Sequence, residues 1–174
     1  MKKILITGGA GYIGSKLATK LVNLKFKVTV LDVLKFSSSS LNHLFCHENF
    51  KFVKGDVRND KLIKSLIKEN EFIIPLAALV GAPLCEKNKK EAKSVNLNSI
   101  KKLMTHVNKK NKIIYLTTNS GYGVGAKNKY CDEESLLNPI SLYGRTKVDA
   151  ENIVMKSKNA MVLDWLLYSG THIE

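Results

Sequence analysis

Met1-Lys-Lys-Ile-Leu-Ile-Thr-Gly-Gly-Ala-Gly-Tyr-Ile-Gly14 passes from an apolar run straight into a glycine cluster. Ile4, Leu5 and Ile6 have the continuous apolar character of a strand buried on both faces. That strand ends at Gly8 and Gly9. Beyond them Tyr12, Ile13, Leu17, Leu21 and Leu24 recur at helical spacing, so the glycines occupy a turn from a strand into an amphipathic helix. Gly8 suits the tight turn, Gly11 lets backbone approach a pyrophosphate, and Gly14 lets the helix pack on the strand. The N–H groups that open the helix, at Tyr12 and Ile13, then face the phosphates at the positive end of the helix dipole. The pattern predicts a dinucleotide site.

Working outward, Val28-Thr-Val-Leu-Asp32 is a second apolar run that ends in an acid about 20 residues beyond the glycines, where a ribose 2′-hydroxyl needs an acceptor. A carboxylate there repels a 2′-phosphate, so NAD is expected over NADP, a preference that Lys35 weakens. Ser37 to Ser40 form a polar loop on which the adenosine ribose can rest. Phe50-Lys-Phe-Val53 reads as a third strand leading to Gly55-Asp56-Val57-Arg58. Asp56 accepts from the adenine amino group, caps the next helix, or does both.

Leu62, Ile63, Leu66 and Ile67 form that helix's apolar face, and Glu71-Phe-Ile-Ile-Pro75 is the fourth strand, Pro75 being tolerated at its end. Leu76 to Cys85 reads as a small-residue loop: either Leu76, Ala77 and Ala78 leave room for a nicotinamide ribose, or the loop is simply close-packed. A long helix is expected from Lys87 to Val107, then a fifth strand, Ile113-Ile-Tyr-Leu-Thr117. Strand and helix alternate from end to end. The expectation is one α/β domain over residues 1–174, a Rossmann-type doubly wound parallel sheet between two helical layers, with ligands at the carboxyl ends of the strands.

With 174 residues, 44% of them hydrophobic, the chain can bury a core of its own. No run reaches the ~18 apolar residues of a membrane span, and the apolar run after Lys2 and Lys3 is too short for a signal peptide, so a cytosolic setting is expected. Cys46, Cys85 and Cys131 lack C-x-x-C spacing, which fits reduced thiols and no metal site. The net charge of +13 invites a nucleic-acid partner. However, the lysines lie along predicted solvent faces (Lys61, Lys64 and Lys68; Lys101 and Lys102; Lys109 and Lys110) without interleaved aromatics, so the expectation is a solvated surface and no nucleic acid.

Thr117-Thr118, Asn119-Ser-Gly-Tyr-Gly123 and Tyr143-Gly-Arg-Thr-Lys147 converge near the end of the fifth strand. Tyr143 and Lys147 are four apart and share a helix face. A phenol near pKa 10 is a poor base at neutral pH, and a neighbouring ammonium lowers that value toward acid–base use. Thr118 can hydrogen-bond the same substrate oxygen.

Together, Thr7-Gly-Gly-Ala-Gly-Tyr-Ile-Gly14, Asp32, Gly55-Asp56-Val57, Leu76-Ala-Ala78, the Thr-Thr-x-x-x-Tyr-Gly stretch and Tyr143-Gly-x-x-Lys147 resemble the NAD-dependent epimerase/dehydratase group of extended short-chain dehydrogenases, which act on nucleotide sugars. The resemblance implies Thr118, Tyr143 and Lys147 as the catalytic triad, with Lys147 also holding the nicotinamide ribose. It also implies a nucleotide-sugar substrate, and a homodimer paired through helices corresponding to Lys87–Val107 and Tyr143–Met155. Two departures bear on the reaction. Dehydratases of the group usually carry Asp-Glu after the catalytic Thr, and decarboxylases keep a Glu at the second position; Asn119 and Ser120 stand here instead, which points to epimerase or simple reductase chemistry. Met161-Val-Leu-Asp-Trp-Leu-Leu-Tyr-Ser-Gly170 has Asp164 where similar proteins carry Arg, and the sequence stops before a substrate domain. The expectation is a truncated relative, a subunit that borrows its lid, or a non-catalytic dinucleotide-binding module.

Overall fold

The computed structural model describes residues 1–36, 39–124, 131–132 and 134–164. Six strands, β1 (Lys3–Thr7), β2 (Lys27–Asp32), β3 (Phe50–Lys54), β4 (Phe72–Pro75), β5 (Lys112–Thr117) and β6 (Ala160–Asp164), form one sheet in the order β3-β2-β1-β4-β5-β6. Every neighbouring pair is parallel. The order reverses between β1 and β4, and a crevice opens at the carboxyl ends there.

Alternation along the strands assigns the two cores. Leu5, Leu31, Ile73, Ile113 and Tyr115 face a layer built from α2 (Asp60–Glu69), α5 (Ser99–His106) and α6 (Leu142–Val154). Ile4, Ile6, Val28, Val30 and Ile74 face α1 (Tyr12–Asn23). Each such fully buried Leu, Ile or Val contributes about 1.5–3 kcal/mol, so the two-sided core holds the sheet.

The face that α1 buries is not the one suggested by its large residues. Gly14, Ala18 and Val22 are buried, with Leu17 and Leu21 flanking them, while Tyr12 and Leu24 are exposed. A Cβ at Gly14 would lie 2.6 Å from both the Gly8 carbonyl oxygen and the Gly9 Cα, so small residues set the close approach of helix to turn.

The loop expected through Cys85 ends earlier, because α3 (Ala82–Lys87) begins with Pro83 in its first turn, where a missing N–H is harmless. The single helix expected over Lys87–Val107 is instead α4 (Lys89–Ala92), a π-helical turn over Lys93–Asn98, and α5, with a break at Asn88. The buried Asn96 gives that turn its reason, because its side chain reaches across to the loop after β4. Of the sixth run, Ala160–Asp164 is strand, and residues 165–170 lie outside the described residues, as do Ser37 and Ser38.

Candidate functional site

One cavity of about 780 Å³ lies along the carboxyl ends of the strands. Of the residues singled out from sequence, Gly8, Gly11, Tyr12, Ile13, Gly14, Asp32, Asp56, Val57, Leu76, Ala77, Ala78, Thr117, Thr118, Tyr143 and Lys147 line it, whereas Ser40 does not and instead donates to the Ala10 carbonyl at 2.8 Å. Its size suits a large organic ligand.

The glycine turn is built by backbone alone. Gly8 takes φ +72°, and a Cβ there would lie 2.5 Å from the Ala77 amide nitrogen, so β1 and the loop after β4 can meet only at a glycine. The Gly11 N–H donates to the Gly8 carbonyl at 3.2 Å. Among the described residues a Cβ at Gly11 would have only that carbonyl within 4 Å, so they leave this side of the turn open. Among the described residues no side chain caps α1 at Gly11, which leaves the first-turn N–H groups for a ligand. These features fit a pyrophosphate.

Asp32 has a structural part in the turn. One carboxylate oxygen accepts from the Ala10 N–H at 2.9 Å, and the other from the Leu34 N–H at 2.8 Å. It therefore pins the glycine turn to the end of β2, and each oxygen keeps a further lone pair. Asp56 is not the cap of α2. Asn59 is, accepting from the Leu62 N–H at 3.2 Å. Asp56 instead receives the Arg58 amide at 2.8 Å and its guanidinium at 2.5–3.0 Å, and those hydrogen bonds hold its carboxyl below the usual range.

At the other end, Ser141 caps α6 by accepting from the Gly144 N–H at 3.0 Å, placing Tyr143 in the first turn. A Cβ at Gly144 would lie 2.5 Å from the Ser120 carbonyl oxygen, so α6 starts hard against the turn after β5 and brings Tyr143 to Thr118. Thr118 accepts from the Ser120 N–H at 3.3 Å.

Lys147 is buried; its ammonium donates to the Leu116 carbonyl at 2.6 Å and sits 4.0 Å from the centre of the Tyr115 ring. Burial lowers its pKa to about 8, against the opposing pull of Glu151. The lysine-lowered phenol expected from the spacing is therefore not what the chain by itself builds. Burial raises Tyr143 above the ordinary tyrosine value, the Thr118 hydroxyl draws it down, and Cys85 adds to the rise.

Sequence reasoning missed two supports beneath the cavity. Glu151 accepts from the Thr117 hydroxyl at 2.5 Å, tying α6 to β5; its place four residues after Lys147, on the same helix face, was the available signal. Asn96 accepts from the Leu79 N–H at 2.8 Å and donates to the Leu79 carbonyl at 2.9 Å, clamping the loop that carries Leu76 to Ala78. Only the tertiary fold reveals that pairing. Among the described residues, no three His, Cys, Asp or Glu side chains group as a metal site, and no helix is long and apolar enough to cross a membrane.

Comparison with known proteins agrees with this geometry. The model of the NAD dependent epimerase/dehydratase family matches residues 4–172. The chain is 32% identical to a dTDP-D-glucose 4,6-dehydratase of Dictyostelium discoideum, over 99% of its own length and 44% of the relative's. It is similar in structure to the UDP-Glc/GlcNAc 4-epimerase of Campylobacter jejuni, with a TM-score of 0.85 and 25% identity over 100% of this chain and 58% of that one. It also resembles a dTDP-glucose 4,6-dehydratase from Bacillus anthracis solved in complex with NAD, with a TM-score of 0.82 and 27% identity over 94% and 54% of the two chains. The chain spans less than half the length of the curated relative and little more than half of the two structures.

Proposed function

Because this chain belongs to the NAD-dependent epimerase/dehydratase family, we propose that it binds NAD along the cavity and supports Tyr143-assisted oxidation and reduction at a hydroxyl of a nucleotide sugar. One observation carries the reading: the glycine turn, Asp32 and the Thr118, Tyr143 and Lys147 side chains all open into the same cavity. NAD, when bound, supplies the hydride acceptor and donor. The first turn of α1 holds the pyrophosphate, and Asp32 has acceptor capacity left for the adenosine ribose.

With the phenol that burial raises drawn down by the Thr118 hydroxyl and by the positive charge that oxidised NAD would bring, Tyr143 takes the proton from the sugar hydroxyl, Thr118 hydrogen-bonds the same oxygen, and Lys147 exchanges the Leu116 carbonyl for a ribose hydroxyl. At neutral pH neither Asn119 nor Ser120 is a competent acid or base. Elimination of water needs such a pair beyond the tyrosine, which favours 4-epimerase or reductase chemistry over dehydration even though dehydratases are among the similar proteins.

Titration with NADH, followed by turnover of UDP- and dTDP-hexoses, tests both parts. Epimerised or reduced sugar supports the reading; a 4-keto-6-deoxy product reverses the ranking, and absent NADH binding ends it. Tyr143→Phe should abolish turnover and keep NADH binding, with kcat falling by at least ~100-fold. The second reading, a dinucleotide-binding module without turnover, is favoured by the burial that raises the Tyr143 phenol above its ordinary value and so holds it protonated at neutral pH. It predicts tight NADH binding and no product with any sugar. The free thiols Cys46, Cys85 and Cys131 suit the cytosol, and the helices around α5 and α6 offer the surface for a homodimer. The lysines are spread over the surface, which favours a nucleotide ligand over nucleic acid.

A further inference from the structure

Lys35, in the loop after β2, and Glu91, on α4, form an ion pair of 2.7 Å across 56 positions of sequence, and both line the cavity beside Asp32. Close by, Asp56 holds Arg58, whose guanidinium also reaches the Ser94 hydroxyl at 3.4 Å, and Ser94 in turn donates to the Glu91 carbonyl at 2.9 Å. The hydrogen bonds that Arg58 donates to Asp56 keep its guanidinium strongly protonated, and the charge of Glu91 adds to that hold against the opposing effect of burial. Among the described residues, the charged side chains lining this end are therefore Asp32, Asp56 and Glu91 against Lys35 and Arg58, three negative and two positive. In a chain of net charge +13, the adenosine end is locally net negative, and each of its cations is engaged by a carboxylate.

We propose that Glu91 is a cofactor-selectivity residue: by occupying Lys35 it denies a counterion to a 2′-phosphate and closes the adenosine end to phosphorylated dinucleotides. This deepens the NAD-binding reading and rests on it. Lys35 alone weakens the preference for NAD; Lys35 held by Glu91 does not. A 2′-phosphate entering beside Asp32 meets one more carboxylate than cations, whereas a 2′-hydroxyl carries no charge and is indifferent to the balance.

The test is fluorescence titration of NADH and NADPH against wild type, Glu91→Gln and the double variant Glu91→Gln/Lys35→Met, each checked for native circular dichroism. Both side chains are substantially solvent-exposed, so the substitutions leave the core intact. Glu91→Gln should tighten NADPH roughly tenfold, the effect of one unit charge on a nearby dianion in water-like surroundings, and change NADH less than about twofold. The gain should vanish in the double variant and shrink with added salt. NADH binding with NADPH affinity unmoved by Glu91→Gln overturns this proposal alone. Failure of wild type to bind NADH overturns the functional reading and the proposal with it.

Discussion

Replacing Lys147 by Met should make the protein more stable while ending its use of a dinucleotide. The lysine is only 7% exposed, and burial lowers its pKa from 10.5 to about 8. One pH unit of displacement corresponds to about 1.4 kcal/mol, so holding a charged ammonium here at neutral pH costs about 3 kcal/mol relative to the unfolded chain. Methionine removes that cost and fills a similar volume. It forfeits the hydrogen bond to the Leu116 carbonyl and the contact with the Tyr115 ring, together about 1–2 kcal/mol. The expected net gain at pH 7 is about 1–2 kcal/mol.

The sign with pH follows from the depressed folded-state pKa. Below pH 8 the wild type carries the full cost. From about 8 to 10.5 its unfolded state binds more protons than its folded state, so its stability rises with pH relative to that of the variant. The advantage of Lys147→Met should therefore be largest at pH 7 and shrink steadily toward pH 10. Urea unfolding at pH 7, 8, 9 and 10 reads the difference, and NADH titration of the same samples should show binding lost. A variant less stable than wild type at pH 7, by a margin that does not move with pH, would refute the reasoning.

Gly14→Ala puts a Cβ 2.6 Å from the Gly8 carbonyl oxygen and the Gly9 Cα, both backbone, so thermal unfolding should show a loss of at least ~2 kcal/mol together with lost NADH binding. Asn96→Ala leaves the Leu79 N–H without its partner and the Leu79 carbonyl with the weak Cys85 thiol donor alone; a loss of about 1–3 kcal/mol in urea unfolding, with weaker NADH binding through the freed loop, is expected. Among the described residues the buried Tyr115 hydroxyl has no hydrogen-bond partner, so Tyr115→Phe should be neutral or stabilise by about 1 kcal/mol; destabilisation beyond that would refute this account of the hydroxyl.

What could be read from the sequence followed from short-range physics. Runs such as Ile4-Leu-Ile6 and Ile113-Ile-Tyr-Leu-Thr117 have no other stable home than a two-sided parallel sheet, and Gly8 to Gly14 has few backbone alternatives once a helix must start beside a strand. Motif spacing then brought the glycine turn, Asp32, Asp56, Leu76 to Ala78 and the Thr118, Tyr143 and Lys147 set to one cavity. Long-range pairing was not legible. Asn96 is an ordinary polar residue until α4 and α5 are packed over the loop after β4, and Glu91 is an ordinary surface acid until it meets a lysine 56 positions earlier. The single helix expected over Lys87–Val107 is broken for the same reason, since its π-helical turn places Asn96 on Leu79 and local propensity carries no trace of that demand.

Electrostatics was the least legible part, because it depends on depth. The Tyr143 and Lys147 spacing predicts a lysine that lowers a phenol, which holds for a solvated pair on a helix surface. Burial acts on each group separately and in opposite senses: it raises the phenol and lowers the ammonium, driving both toward their neutral forms. Glu151 opposes this for Lys147, and Thr118 opposes it for Tyr143. The neighbours that keep the pair usable are thus a carboxylate one helical turn below and a hydroxyl at the end of β5. Removing Glu151 should therefore shift the acidity of Lys147 before it shifts anything at Tyr143, and Glu151→Gln should lower the pH above which NADH binding fades. An unchanged pH profile in that variant, with the fold intact, would show that Glu151 serves only to fasten Thr117.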